Sequence, residues 1–299
     1  AALSMGAVGA LSTLASLAQS DRPAEEKTWR VVVLNNADFL LPSSALMDQA
    51  LRETLTREAP HSVELFGEAL DSIRHPGTVD DLHYALLRKK YEKIKVDLVM
   101  LRGRGSIDFV RRYGEALWPK VPVVFYNERL EVLRDKGAPA NSTGVLVDID
   151  AASTIDLALR LHPRARNIYV VGGTAAYDQT WKRRVQPLLS RLNDFYSITW
   201  LDHLPVPRIL ETVAELPPDS LVLYTSILID AEGNTRTNPQ VAGQIAAASA
   251  APVYGYLETY LGGGLVGGAI PDLAAHGRDA ARLALQVLNG EQVSKIPVI

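Results

Sequence analysis

A chain of 299 residues with 47% hydrophobic and 22% charged side chains can bury a sizeable core and has the balance of an ordinary globular protein. Its net charge of −3 supplies no basic face for nucleic acid, and the absence of cysteine removes disulfides, thiolate metal sites and thiol catalysis together. The one tight basic cluster, Lys182-Arg183-Arg184, lies in a segment of helical periodicity and reads as a solvated helix face.

Residues 1–20 carry no ionisable side chain, and Asp21 is the first. Ser16-Leu17-Ala18 before Gln19 has the small-x-small form of a signal-peptidase site. Residues 1–27 therefore read as the remnant of a signal peptide or membrane anchor followed by a polar linker. The expected location is periplasmic or extracytoplasmic, the chain being exported or anchored through its N-terminus.

Trp29–Asn36 is a continuous apolar run closed by two asparagines, the mark of a buried parallel strand. Pro42–Glu58 is helical, with Leu46, Ala50, Leu51 and Leu55 on one stripe. Strand Ser62–Leu70, helix Val79–Ile94 and strand Val96–Leu101 follow. Next come the turn Arg102-Gly103-Arg104-Gly105-Ser106, helix Ile107–Leu117 and strand Val121–Tyr126. Strict alternation of this kind means a parallel sheet with right-handed crossovers. Glu131–Ser142 has weaker periodicity and contains Gly137, Pro139 and Asn141, so a first domain crossing is expected there.

The alternation restarts with strand Thr143–Ile149, helix Ala151–Leu161 and strand Asn167–Val171, which ends in Gly172-Gly173-Thr174. Helix 175–192, strand Ser197–Leu201, helix Pro207–Leu216 and strand Leu221–Tyr224 come next. Helix Pro239–Ser249 and strand Pro252–Tyr256 lead to the glycine-rich run Gly262–Gly268, read as a crossing between lobes. Helix Pro271–Leu288 and an apolar tail close the chain. The fold class is α/β, with two Rossmann-like lobes joined by hinge crossings. Lobe 1 comprises 28–143 plus about 265–290, lobe 2 comprises 144–264, and 291–299 is a tail.

Several chemistries leave no trace. The six histidines show no H-E-x-x-H or other close ligand spacing, and neither a G-x-S-x-G elbow nor a Walker A loop occurs. No catalytic residue, metal or cofactor is expected. Val171–Thr174, with Asp202 ending the next strand, has the layout of a dinucleotide site, but Ala175, Ala176 and Tyr177 follow where a further glycine is required. Gly103-Arg104-Gly105 fails in the same way, with Asp108 in the third position. A nucleotide-dependent α/β enzyme is therefore the alternative reading. A repressor core is disfavoured, because no helix-turn-helix precedes Trp29.

The order of these segments resembles a known family. Val31–Phe39, the Leu86–Tyr91 and Val96–Val99 pattern, Leu117-Trp118-Pro119 with Val121–Phe125, Ile168–Gly173, Ser197–Leu204, Leu216-Pro217-Pro218, Ala251–Gly255 and Gly264–Gly268 together resemble a type I periplasmic binding protein. The pattern is similar to the ABC-transporter substrate-binding-like family, and within it to the extracytoplasmic sensor domain of bacterial histidine kinases, notably in Thr199–Asp202 and Leu261–Gly268. It departs at Arg102–Gly105, where smaller and less charged residues are expected.

The resemblance implies a small-molecule ligand held between the lobes and a membrane kinase or ABC permease as partner. The ligand would touch strand-end turns from both lobes. From the first these are Asn36, Arg102, Gly103, Ser106, Tyr126 and Asn127. From the second they are Thr174, Tyr177, His203, Ser226, Tyr256 and Glu258, with Gly268 near the crossing. Helix N-termini behind Gly103–Ser106 and Gly173–Thr174 favour an anionic group, to which Arg102 or Arg104 would add a charge-assisted pair. Tyr126, Tyr177, Tyr224 and Tyr256 offer flat faces, so the expected ligand is a carboxylate with an apolar or aromatic body.

Overall fold

The computed structural model describes residues 27–299 other than positions 38, 40, 74 and 76. The export signal and most of the polar linker expected within residues 1–27 lie outside the described residues.

The first lobe is built from β1 (Thr28–Asn35), α1 (Pro42–Glu58), β2 (Ser62–Ala69), α2 (Asp80–Tyr91), β3 (Leu98–Arg102), α3 (Arg104–Leu117), β4 (Val123–Glu128), α4 (Leu130–Lys136) and β5 (Ser142–Leu146). Its five strands are parallel in the order β2-β1-β3-β4-β5. All five residues of β3 are buried, as a central strand covered by helices on both faces requires. Met47, Leu51 and Leu55 form the buried stripe of α1, each contributing roughly 1.5–3 kcal/mol of apolar burial.

Two expectations shift here. The crossing expected within Glu131–Ser142 is instead helix α4 and a turn, and β5 pairs with β4 in the first sheet. The strand expected to open the second lobe therefore closes the first, and the chain leaves this lobe only after Leu146. The turn expected over Arg102–Ser106 contracts to Gly103, whose φ of 76° suits a residue without Cβ. Arg102 ends β3 and Arg104 begins α3.

The second lobe holds α5 (Ala151–Leu161), β6 (Asn167–Val171), α6 (Ala176–Ser190), β7 (Ser197–Trp200), α7 (Val206–Ala214), β8 (Ser220–Tyr224), α8 (Asn238–Ala248) and β9 (Val253–Tyr254), followed by a 3-10 turn, Glu258–Tyr260. Its strands are parallel in the order β7-β6-β8-β9. Asp150 caps α5, accepting the Ser153 amide at 2.8 Å. The glycine-rich run flanks β9 rather than spanning the gap: Val266 donates to the Val253 carbonyl at 2.8 Å and Gly255 to that of Gly267 at 3.0 Å.

The return to the first lobe follows Gly268, where a Cβ would stand 2.2 Å from the Gly255 carbonyl. Asp272 then caps α9 (Leu273–Leu288) through the Ala275 amide. Helix α9 packs on α1 through Gly277, whose missing Cβ would meet the Met47 carbonyl at 2.5 Å. The final residues lie along β5: Ile299 donates to the Gly144 carbonyl at 3.1 Å and accepts from Leu146 at 2.6 Å. Among the described residues no helix is long and apolar enough to cross a membrane.

Candidate functional site

The carboxyl ends of β1, β3 and β4 define the first-lobe edge. Asn35, Arg102 and Tyr126 are register partners across these strands, so their side chains share one face, the one covered by α1 and α9. Arg102 is buried; its Nη1 donates to Asp48 Oδ1 at 3.1 Å, and the Tyr126 hydroxyl reaches the same oxygen at 3.4 Å. Burial pushes the Asp48 carboxyl up, opposed by the Arg102 charge. The Tyr126 hydroxyl is pushed far up, first by burial and then by the Asp48 charge.

Around this row, Asn36 folds its amide over Gly103, where a Cβ would lie 2.7 Å away, and the Ser72 hydroxyl donates to the Asn36 carbonyl at 2.9 Å. Ser106 is buried and donates to the Gly103 carbonyl at 2.8 Å, so its hydroxyl serves the helix start. Asn127, at φ 57°, gives its amide to His276 Nε2 at 2.8 Å. That nitrogen accepts and is unprotonated, in keeping with a His276 pKa lowered by burial. Arg104 is exposed and pairs with Asp108 one helical turn on, at 3.5 Å.

The second-lobe edge differs from expectation. The turn Gly172–Thr174 offers no free anion cradle, because the protein fills it. Asp178, in the first turn of α6, is 1% exposed. Its carboxylate accepts from Ala175 N at 3.1 Å, Ser226 Oγ at 2.6 Å and Leu228 N at 3.0 Å. A Cβ on Gly173 would stand 2.4 Å from that carboxylate and 2.6 Å from the Ile229 carbonyl. The Thr174 amide donates to Ile229 O at 2.8 Å, and its hydroxyl donates to the Asp230 carbonyl at 3.0 Å. Burial raises the Asp178 carboxyl while these donors oppose it.

Ser226 is therefore a buried strut, tied also to Asn238 Nδ2 at 3.0 Å. Tyr224 likewise lies in the lobe core, edge-on to Tyr260, with its hydroxyl on Asn238. His203 is exposed beyond the edge strand β7. Glu258 accepts the Leu273 amide at 2.9 Å and so ties the second lobe to the start of α9. Gly268 packs against Gly255 and Thr154, and the Ala269 amide donates to Thr154 Oγ1 at 3.0 Å.

Tyr177 remains open. It is 37% exposed, and desolvation pushes its hydroxyl up. One turn further along α6, Trp181 stacks on Tyr256 at 5.3 Å between centroids, and the buried Tyr256 hydroxyl has no hydrogen-bond partner among the described residues. Arg129, just beyond β4 in the first lobe, acts through its charge to lower the pKa of both Tyr177 and Arg184 of α6. Arg184 holds Asp148 at 3.1 Å, and burial, then Arg129, lowers its pKa. Helix α6 thus carries Tyr177, Trp181 and Arg184, and Arg129 follows β4 in the first lobe.

Arg129, Trp181, Asp178 and Asn35 were not singled out in the sequence, and Arg184, read there as part of a solvated helix face, is partly buried and paired with Asp148. Of these only Asp178 carried a signal, the acid three residues after a helix N-cap. Two concavities lie elsewhere. One of about 300 Å³, lined by Val99, Trp118, Val123 and Pro139, is at the opposite, amino ends of β3 and β4, and another of about 460 Å³ opens on α5 beside Asp156 and Arg160.

No protein-family model matches the chain, and no curated protein matches it. Solved structures do. The ABC domain in complex with L-Trp from Streptococcus pneumoniae is 16% identical, with a TM-score of 0.61 over 91% of this chain and 88% of that one. A ligand-free, open substrate binding protein with adhesive properties from Clostridium difficile is 13% identical, with a TM-score of 0.64 over 91% and 88%. The trehalose repressor from Escherichia coli is 16% identical, with a TM-score of 0.58 over 90% and 97%. The fold is that of the type I periplasmic binding proteins, which repressor cores share. The two-lobed parallel architecture expected from the sequence is borne out.

Proposed function

We propose that this chain binds a small molecule in the cleft between its lobes, as the extracytoplasmic ligand-binding component of a sensor or an ABC transporter. The observation that carries this reading is the aromatic face of α6, where Tyr177 is exposed and Trp181, one turn on, stacks on Tyr256 with the Arg184 guanidinium 5.8 Å from its ring. An aromatic wall flanked by arginines suits a carboxylate with an apolar or aromatic body. The L-Trp complex and the open substrate-binding protein support ligand binding by this fold. Closure on the ligand would be read by a membrane kinase or by a permease. The filled Gly172–Thr174 turn weighs against the nucleotide-dependent enzyme, since no pyrophosphate fits where Asp178 and Ile229 already stand.

A thermal-shift screen of small metabolites tests the reading. Aromatic and aliphatic carboxylates should raise the melting temperature of the wild type, by about 3 kcal/mol of stabilisation at a hundredfold excess over Kd. Tyr177→Glu should cancel the shift without lowering the unliganded melting point. A shift with nucleotides alone would favour the enzyme.

A further inference from the structure

Three polar atoms at the carboxyl edge of the first sheet have no partner among the described residues: Asn35 Nδ2, Asn35 Oδ1 and Arg102 Nη2. Asn35 is 0% exposed and Arg102 1% exposed. They are the last residues of adjacent central strands and are paired in register, so the three atoms share one face of one sheet edge. Burying such atoms unpaired is costly, and native proteins rarely tolerate it without a ligand, water or ion to complete the set. The cluster is also held rigidly, because Asp48 anchors the other arm of Arg102 and the Tyr126 hydroxyl braces Asp48.

We propose that Asn35 and Arg102 form the polar end of the ligand site and take an amino acid or 2-hydroxy acid. The inference rests on the cleft-binding reading above and narrows its ligand class. The inventory of these atoms points to the class. Arg102 Nη2 and Asn35 Nδ2 are donors that match a carboxylate. The amide also presents one acceptor, whichever way it is flipped, and a plain carboxylate cannot satisfy an acceptor. An ammonium or hydroxyl beside the carboxylate does. In the present arrangement the 3-10 turn Glu258–Tyr260 packs on α1 and the cluster is shut from solvent, so the ligand enters when the lobes part. Asn35 is a specificity-determining residue here, and Asp48 a positioning one.

The test uses the full chain, in wild-type, Asn35→Leu and Tyr177→Glu forms. Its probes are the L-amino acids, their deaminated acids and carboxamides (for leucine, 4-methylpentanoate and leucinamide), and neutral myo-inositol. At least one amino acid should stabilise the wild type, with its deaminated acid and its amide binding at least about tenfold more weakly. Asn35→Leu keeps the branched shape while removing the unpaired amide. It should melt higher than the wild type without ligand and bind the same amino acid about a hundredfold more weakly. A residue that merely holds a buried water would lower the melting point on substitution and leave ligand affinity unchanged, which overturns the inference. Equal binding of the deaminated acid overturns it too. If myo-inositol binds wild type and Asn35→Leu alike but not Tyr177→Glu, the cleft reading stands and this inference falls. If nothing binds the wild type, both fall.

Discussion

Asp178 shows how a single side chain can decide what a turn is for. The N-terminus of α6 has the partial positive charge that draws anions, and in the sequence Gly172-Gly173-Thr174 invited a ligand there. The protein's own carboxylate occupies the position and takes donors from Ala175, Ser226, Leu228 and Ile229. Asp178→Ala should cost about 3 kcal/mol or more in urea unfolding, since several buried donors lose their acceptor at once. Asp178→Asn should cost less, because one amide oxygen still accepts. The acid at capping-box spacing was visible in the sequence, but its partners lie some fifty residues away and were not. Asn35 and Asn36 make the same point at closer range. Their neighbourhood was legible, but which of the two faces inward depends on where β1 stops, and a boundary is uncertain by more than one residue from pattern alone.

Among the elements, the pair α1 and α9 closes the first lobe although more than two hundred residues separate them. Gly277 permits this, with its Cα hydrogen turned to the Met47 carbonyl. Gly277→Val should destabilise the chain by about 2 kcal/mol, because overpacking outweighs the small gain from removing a helical glycine. A lower denaturant midpoint with an unchanged slope would register it. The alternation of strands and helices was readable nearly throughout, since buried parallel strands write continuous apolar runs. The lobe to which β5 belongs was not. Gly137 and Asn141, both at positive φ, mark an ordinary turn that locally resembles a hinge. What assigns the strand is its pairing with β4, a contact between segments that sequence periodicity does not record.

For the whole molecule, the start of α9 is where folding, pH and the lobe connection meet. His276 is buried and neutral, accepting from Asn127, with Tyr126 beside it and Asp279 on its own helix. Its folded pKa lies below the ordinary 6.5, so the unfolded chain binds more protons and stability rises with pH up to about that value. Asp48, Glu128 and Asp178 have raised pKa values and slope the other way, losing stability as pH climbs from the ordinary carboxylate range through their folded values. Subtracting the profile of His276→Gln from that of the wild type, by urea midpoints across pH 5–7, should therefore leave a rising limb that levels off near 6.5.

The stack of Trp181 on Tyr256 has an optical consequence. Of four tryptophans in the chain, Trp29 and Trp118 are buried in the first lobe and Trp200 lies in the edge strand β7. Trp181 alone lies one helical turn behind Tyr177, with the Arg184 guanidinium 5.8 Å from its ring. A ligand settling on Tyr177 and drawing the cationic groups together would alter the field on that indole more than on the others. Intrinsic emission should then follow occupancy without a label, and Trp181→Phe should silence the change while the thermal shift persists. A ligand-dependent emission change surviving in that variant would place the occupied surface away from α6.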